Sequence, residues 1–268
     1  VVTAEETSAA APTDATAPVP VEVLTDEELA ILAGPGGLVV SPYLATLPDA
    51  EREVALRTAY RGLLARGVVD PPTPEALAAA VGEPTVELQV RQDVLSLVAL
   101  RRGASATVCV ARSTVLGHDY WYAHVVRDVV LIEQVSTHGQ HRFALAAADT
   151  LGDLLLDAAV HPETTDGAGS TIEVADPDEP PTEVVERLGS ALVRADVVVR
   201  VPDDREPELL GLFTGPGGAW VLSAREASGG PVVARPLSRA AVEAQVRDIA
   251  ERAVSTAAVL ASAATGAR

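Results

Sequence analysis

The sequence predicts an α+β protein of two similar halves, with antiparallel sheet flanked by helical groups in a quasi-two-fold layout. Three observations predict it. Apolar residues recur at helical spacing over 49–66 and 238–264, and at spacing two over 85–91 and 104–146. The strand candidates are joined by short links, which favour a meander because parallel strands need long crossovers. Strands followed by a helix occur before residue 161 and again after residue 183, so the halves are expected to share one sheet or two abutting ones.

The chain is expected to divide into a disordered acidic tail over 1–23, a half of helices, meander and helix over 24–161, an acidic linker over 162–183, and a helix–sheet–helix half over 184–264. The tail is Ala, Thr, Pro and acidic residues without periodicity, too little apolar surface to offset its ordering entropy. Thr25-Asp26-Glu27-Glu28 then reads as a capping box, with Leu24 and Leu29 as its hydrophobic staple. Gly34-Pro35-Gly36-Gly37 ends that first helix. A second helix runs from Pro48-Asp49 to Arg66, with Leu56, Tyr60, Leu63 and Leu64 on one stripe and Glu53 and Arg57 paired outside. A third opens at Thr73 as N-cap with Pro74 at its first position.

From Thr85 the period becomes two, with Val86, Leu88 and Val90 alternating against polar residues. Further strands are expected at 94–100, 104–111, 119–127, 129–136 and 140–146, then a helix over 150–160 with Asp149 as N-cap. The linker at 162–183 holds seven acidic and no basic residues. Thr182 is expected to cap a helix to about Ala195, followed by strands at 197–201, 208–214, 219–226 and 231–235. Ser238 caps the last helix, with Val242, Val246, Ile249 and Val254 inward and the pairs Glu243–Arg247 and Asp248–Arg252 outward. Gly34-Pro-Gly-Gly-Leu-Val-Val-Ser41 echoes Gly215-Pro-Gly-Gly-Ala-Trp-Val-Leu-Ser223, through either duplication or two similar turns.

Composition narrows the function classes. Of 268 residues 48% are hydrophobic and only 3% aromatic, so the core is built from Ala, Val and Leu. Lys, Asn and Met are absent, the mark of a GC-rich coding genome. Val1 is not a natural start, so an initiator Met, or a longer segment such as a signal peptide, is expected to have been removed. The net charge of −18 opposes binding to phosphate backbones, so no nucleic-acid partner is expected. No apolar run reaches the ~18–20 residues of a membrane span, so no membrane insertion is expected.

Catalytic chemistry leaves little trace. Cys109 is the single cysteine, in an alternating run with no base beside it. Gly-Pro-Gly-Gly lacks the Lys-Ser/Thr ending of a phosphate loop, and no Gly-x-Ser-x-Gly elbow occurs. Four of five histidines lie within 118–141: His118 and His124 share a strand face, and His138 and His141 flank a turn. Metal binding would require them to converge with Asp119 or Glu133; no catalytic, cofactor or metal site is expected. The helices over 49–66 and 74–81 with a following strand also suit a winged helix, but Pro74–Val81 has no Arg and carries Glu75. Tyr120-Trp121-Tyr122 is the densest aromatic cluster, with Trp121 on one strand face and the tyrosines on the other. One face is expected in the core, and the other is either an interface patch or also buried.

Two stretches carry a family resemblance. One is Leu63-Leu-Ala-Arg-Gly-Val-Val-Asp70, Thr73-Pro-Glu-Ala-Leu-Ala78 and Glu83-Pro-Thr-Val-Glu-Leu-Gln-Val-Arg91, leading to Leu97-Val-Ala-Leu-Arg-Arg-Gly103. The other is Gly218-Ala-Trp-Val-Leu222 followed by Pro236-Leu-Ser-Arg239. Together they resemble the EspG family, cytosolic chaperones of actinobacterial type VII secretion, over roughly residues 24–262. The tail and the acidity of the linker depart from that family. The resemblance implies a quasi-two-fold α+β fold and binding without catalysis, holding the apolar tip of a helical secretion substrate.

The expectation is a non-catalytic cytoplasmic chaperone or adaptor for a helical protein partner, with no cofactor. Leu212, Phe213, Trp220, Trp121 and Tyr122 are the candidate partner-binding residues. A winged-helix regulatory protein with a sensing domain is the alternative.

Overall fold

A computed structural model describes residues 17–34, 37–79, 88–175, 180–201, 208–224 and 232–266. Its strands form one sheet, so the two halves share it. The strands are β1 (Val19–Thr25), β2 (Ala106–Thr114), β3 (Gly117–Val126), β4 (Val129–Ser136), β5 (Gln140–Ala147), β6 (Ile172–Val174), β7 (Val193–Arg200), β8 (Glu208–Thr214), β9 (Ala219–Ala224) and β10 (Val232–Leu237). The helices are α1 (Asp26–Ala33), α2 (Asp49–Ala65), α3 (Pro74–Ala79), α4 (Gln92–Arg102), α5 (Leu151–Ala159), α6 (Thr182–Gly189) and α7 (Arg239–Gly266).

The ten strands lie in the order β1-β5-β4-β3-β2-β7-β8-β9-β10-β6, antiparallel throughout. Each half runs edge strand, helical segment, meander, helix: β1, α1–α4, β2–β5, α5, then β6, α6, β7–β10, α7. The halves join where β2 pairs β7, with Val110 opposite Val197. This repetition gives the fold its quasi-two-fold connectivity.

The two faces are covered differently. On one, α5 and α7 pack against each other and against Val108, Val110, Ala123, Val125, Ala195, Val197 and Val221. Leu151 and Leu155 are fully buried there, each contributing about 1.5–3 kcal/mol by leaving water. On the other face, Leu131 and Phe143 pack with Leu24, Leu29, Leu63, Val68, Val94, Leu97 and Val98 from β1, α1, α2 and α4.

Several elements follow their sequence signals. Thr25 Oγ1 accepts from the Glu28 amide and Glu28 reaches back to the Thr25 amide, while Leu24 and Leu29 are buried beside them. Gly67 closes α2 at φ +63°, a conformation glycine adopts without a Cβ penalty. Thr73 Oγ1 accepts from Ala76, and Ser238 Oγ from Ala241, as their N-cap positions require.

Others differ. The strand expected at 94–100 is helix α4: Val94, Leu97 and Val98 are buried at i, i+3 and i+4 while Leu95 faces water. Order begins before Leu24, because Val19–Thr25 forms edge strand β1 against β5; the remaining tail, over 1–16, lies outside the described residues. Of the strand expected over 85–91, residues up to 87 also lie outside them, and Val90 makes only an isolated bridge to Val69. The linker at 162–183 contains β6, paired with β10. Asp149 does not cap α5, which starts after Thr150 without a side-chain cap. Helix α6 begins at Thr182 after Pro181 and ends at Gly189, because β7 claims the chain from Val193. The Asp248–Arg252 pair forms, whereas Glu243 pairs with Arg239 and Arg247 with Asp153 of α5. The glycine-rich echo does not relate the halves: Gly34 ends a helix, and Gly215 lies in the β8–β9 turn.

Candidate functional site: an open strip on the sheet and a buried charged network

Alternation and register place Cys109 and Ala111 of β2, Asp196 and Val198 of β7, and Leu209 of β8 side by side on the face that also carries α1, α2 and α4. Cys109, Ala111, Asp196 and Val198 are half-buried and Leu209 is 60% exposed. None belongs to either core cluster, so among the described residues this strip is only partly covered, between the helices of the first half and α6. Phe213 borders it, half-buried, with the Arg194 guanidinium 5.4 Å from its ring centre. Ser113, next along β2 on this face, precedes the β2–β3 turn, where Val115 is 86% and Leu116 95% exposed. Thr114 pairs with Val193, and the neighbouring Leu192 is also exposed.

The sequence candidates fall in distinct places. Phe213 lies at the strip. Trp220 is buried on the same face, with Arg187 of α6 over its ring. Leu212 is fully buried on the opposite face, in the core with α7, and offers a partner no surface in this conformation. Trp121 is buried on that opposite face too, at the rim of a cleft of about 780 Å³ lined by Arg112, Gln134, Arg142, Leu154 and Asp157. Tyr122 is buried and its hydroxyl oxygen accepts from the Val40 amide. Trp121 and Tyr122 are therefore buried on opposite faces, while Tyr120 is half-buried. Helix α3 contains no basic residue, which gives no support to a groove-reading helix.

The histidines separate. His118 meets Ser113 near the β2–β3 turn and His138 is exposed. His124 and His141 instead converge on Glu133, and these three are at most 2% exposed. His124 Nε2 donates to Glu133 Oε2 at 2.8 Å, and Arg101 Nε of α4 donates to the same oxygen at 2.8 Å. His141 Nδ1 donates to Glu133 Oε1 and its Nε2 to Asp26 Oδ1, both at 2.6 Å. Asp26 Oδ2 accepts from the amides of Tyr43 and Leu44. Burial alone would raise the Glu133 carboxyl, but the His124 and His141 bonds and the Arg101 charge outweigh it and hold it well below the usual carboxylate range. Burial likewise works against the His141 imidazolium, yet the Asp26 and Glu133 bonds raise its pKa above the ordinary value.

A Glu–His pair is acid–base machinery only where a substrate reaches it. Here the carboxylate is saturated with protein donors and enclosed, so the arrangement ties elements together. Among the described residues no group of three or more His, Cys, Asp and Glu is arranged to hold a metal ion, and no helix is long and apolar enough to cross a membrane. Burial raises the Cys109 thiol, which disfavours the thiolate. Of the network, sequence reasoning singled out the histidines and Glu133, but had no signal for Asp26 or Arg101.

Gly139 fixes the turn that delivers His141. Its φ is +71°, and an added Cβ would lie 2.7 Å from Tyr43 Cβ and 2.8 Å from Asp26 Cγ. Gly139→Ala is expected to destabilise the chain by at least about 1–2 kcal/mol from the left-handed backbone alone. Urea unfolding reads this as a lower midpoint.

No family model and no curated protein matches the sequence. Among solved structures, the chain is similar to one in the Mycobacterium tuberculosis type VII secretion system chaperone EspG5 in complex with a PE25–PPE41 dimer. The TM-score is 0.48 at 12% sequence identity, over 85% of this chain and 95% of that one.

Proposed function

We propose that the chain is a non-catalytic cytosolic chaperone or adaptor that holds an apolar helical surface of a partner, EspG-like in type VII secretion. The observation that carries this reading is the apolar hairpin tip beside the open strip. Turns favour Gly, Asn, Asp and Ser, so a Val–Leu pair exposed at 86% and 95% does nothing for the fold and offers a partner apolar surface. Covering both side chains would contribute roughly 3–6 kcal/mol at about 1.5–3 kcal/mol each. The strip beside them suits a helix laid across strands with its apolar stripe inward. The resemblance over Leu63–Gly103 and Gly218–Arg239 supplies the partner class, a helical secretion substrate.

The test is co-purification of the tagged full chain from its native host. The reading expects a helical protein at stoichiometric amounts as a discrete complex. Stoichiometric nucleic acid in its place would turn the reading to the winged-helix alternative.

A further inference from the structure

His141 has a carboxylate on each ring nitrogen. An ionised carboxylate only accepts, so both nitrogens must carry protons for both bonds to exist, which makes the ring an imidazolium. With Arg101 it balances Asp26 and Glu133, two positive groups against two negative ones in the interior.

The second half shows that the fold does not require this network. The sheet row Cys109–Tyr122–Glu133–Phe143 has as its counterpart Asp196–Gly211–Leu222–Ala234, where Leu222 takes the place of Glu133. Buried ion pairs are rarely the most stable filling of a core position. Their value here lies in what they hold. Asp26 binds the amides of Tyr43 and Leu44, and Tyr122 binds that of Val40, so the network pins the loop over 38–47. Beneath the loop lies a cavity of about 400 Å³ lined by Leu29, Val39, Leu44, Leu56 and Arg101.

We propose that His141 is a pH-responsive latch: as the imidazolium it ties Asp26 and the 38–47 loop to Glu133 of the sheet, and loss of one proton to solvent frees that loop. The neutral ring has one donor, so one of its two carboxylates then faces a bare nitrogen lone pair in the interior. The proposal is independent of the binding reading above.

The groups around the ring are Glu133 of β4, His124 and Tyr122 of β3, Arg101 of α4 and Asp26 of α1, with Cys109 of β2 beyond Tyr122. Burial pushes the phenol and the thiol up, away from the range of imidazole titration. A raised His141 pKa means stabilisation that is full below about 6.5 and lost as pH rises through the folded-state value. A lowered Glu133 pKa means stabilisation present above about 4.5 and lost as pH falls through its folded-state value. The latch is closed between these limits.

The test follows the histidine ring resonances of the full chain by NMR from about pH 6 upward until the His141 ring has titrated, with amide exchange at Tyr43 and Leu44 corrected for its intrinsic pH dependence. Protection at these amides is expected to fall about 10-fold or more in step with the His141 resonance, while Val246 and Ile249 of α7 keep theirs. His141→Gln should abolish the dependence, and His124→Gln should retain it. Protection at Tyr43 and Leu44 that stays flat through the titration would overturn the latch. So would a fall shared by α7, or one that persists in His141→Gln; the wild-type measurement decides even if a variant fails to fold.

Discussion

Glu133→Ala is expected to destabilise the chain by about 3–5 kcal/mol, the cost of breaking a buried ion network by removing one partner. The carboxylate accepts from His124, His141 and Arg101, and it is fully buried. Alanine removes the carboxylate that pairs with the Arg101 guanidinium and leaves the His141 imidazolium with Asp26 alone, in a site that water enters poorly. It also opens a void between Tyr122 and Phe143, the residues opposite it on neighbouring strands. Urea unfolding at neutral pH reads the loss. Because Leu222 holds the counterpart position in the second half, Leu222→Ala offers a comparison in which only apolar contact is removed. A Glu133→Ala loss below about 1 kcal/mol would mean that the network does not form in solution.

The second large effect concerns binding. Replacing Val115 and Leu116 together by aspartate should weaken the partner complex about 100-fold or more, roughly 3 kcal/mol. Both side chains face solvent, so stability should stay within about 0.5 kcal/mol of the parent. Affinity measured by calorimetry, with unfolding measured in parallel, separates the two effects. Phe213→Ala beside the tip should weaken binding less, because Arg194 already covers part of its ring.

How much of this was legible in the sequence depends on the distance over which each signal acts. Helices α1, α2 and α7 and strands β2–β5 announce themselves through caps, stripes and alternation, all of them local. Strand β1 is hidden because Pro18 and Pro20 follow an aperiodic stretch of Ala, Thr and Pro and read as tail. An edge strand tolerates such residues, since one of its sides has no ladder to complete. Strand β6, only Ile172–Val174, was hidden in the same way inside an acidic stretch. Helix α4 resembles a strand in the sequence because Val94, Leu97, Val98 and Leu100 crowd a short run, and period alone does not separate helix from strand there. The charged network was legible only in pieces. His141 and Asp26 meet across 115 residues of chain, and no spacing rule connects them. The open strip is a property of the assembled sheet: Cys109, Val198 and Leu209 are ordinary strand residues until β2, β7 and β8 stand side by side.

The most direct test of the account is a hydrogen-exchange footprint of the co-purified complex against the free chain. The account predicts new protection at the β2–β3 turn around Val115 and Leu116 and along the β7 and β8 strip, with the surface of α2 unchanged. Protection confined to α2 and α3, with Val115 and Leu116 still exchanging as in the free chain, would contradict it.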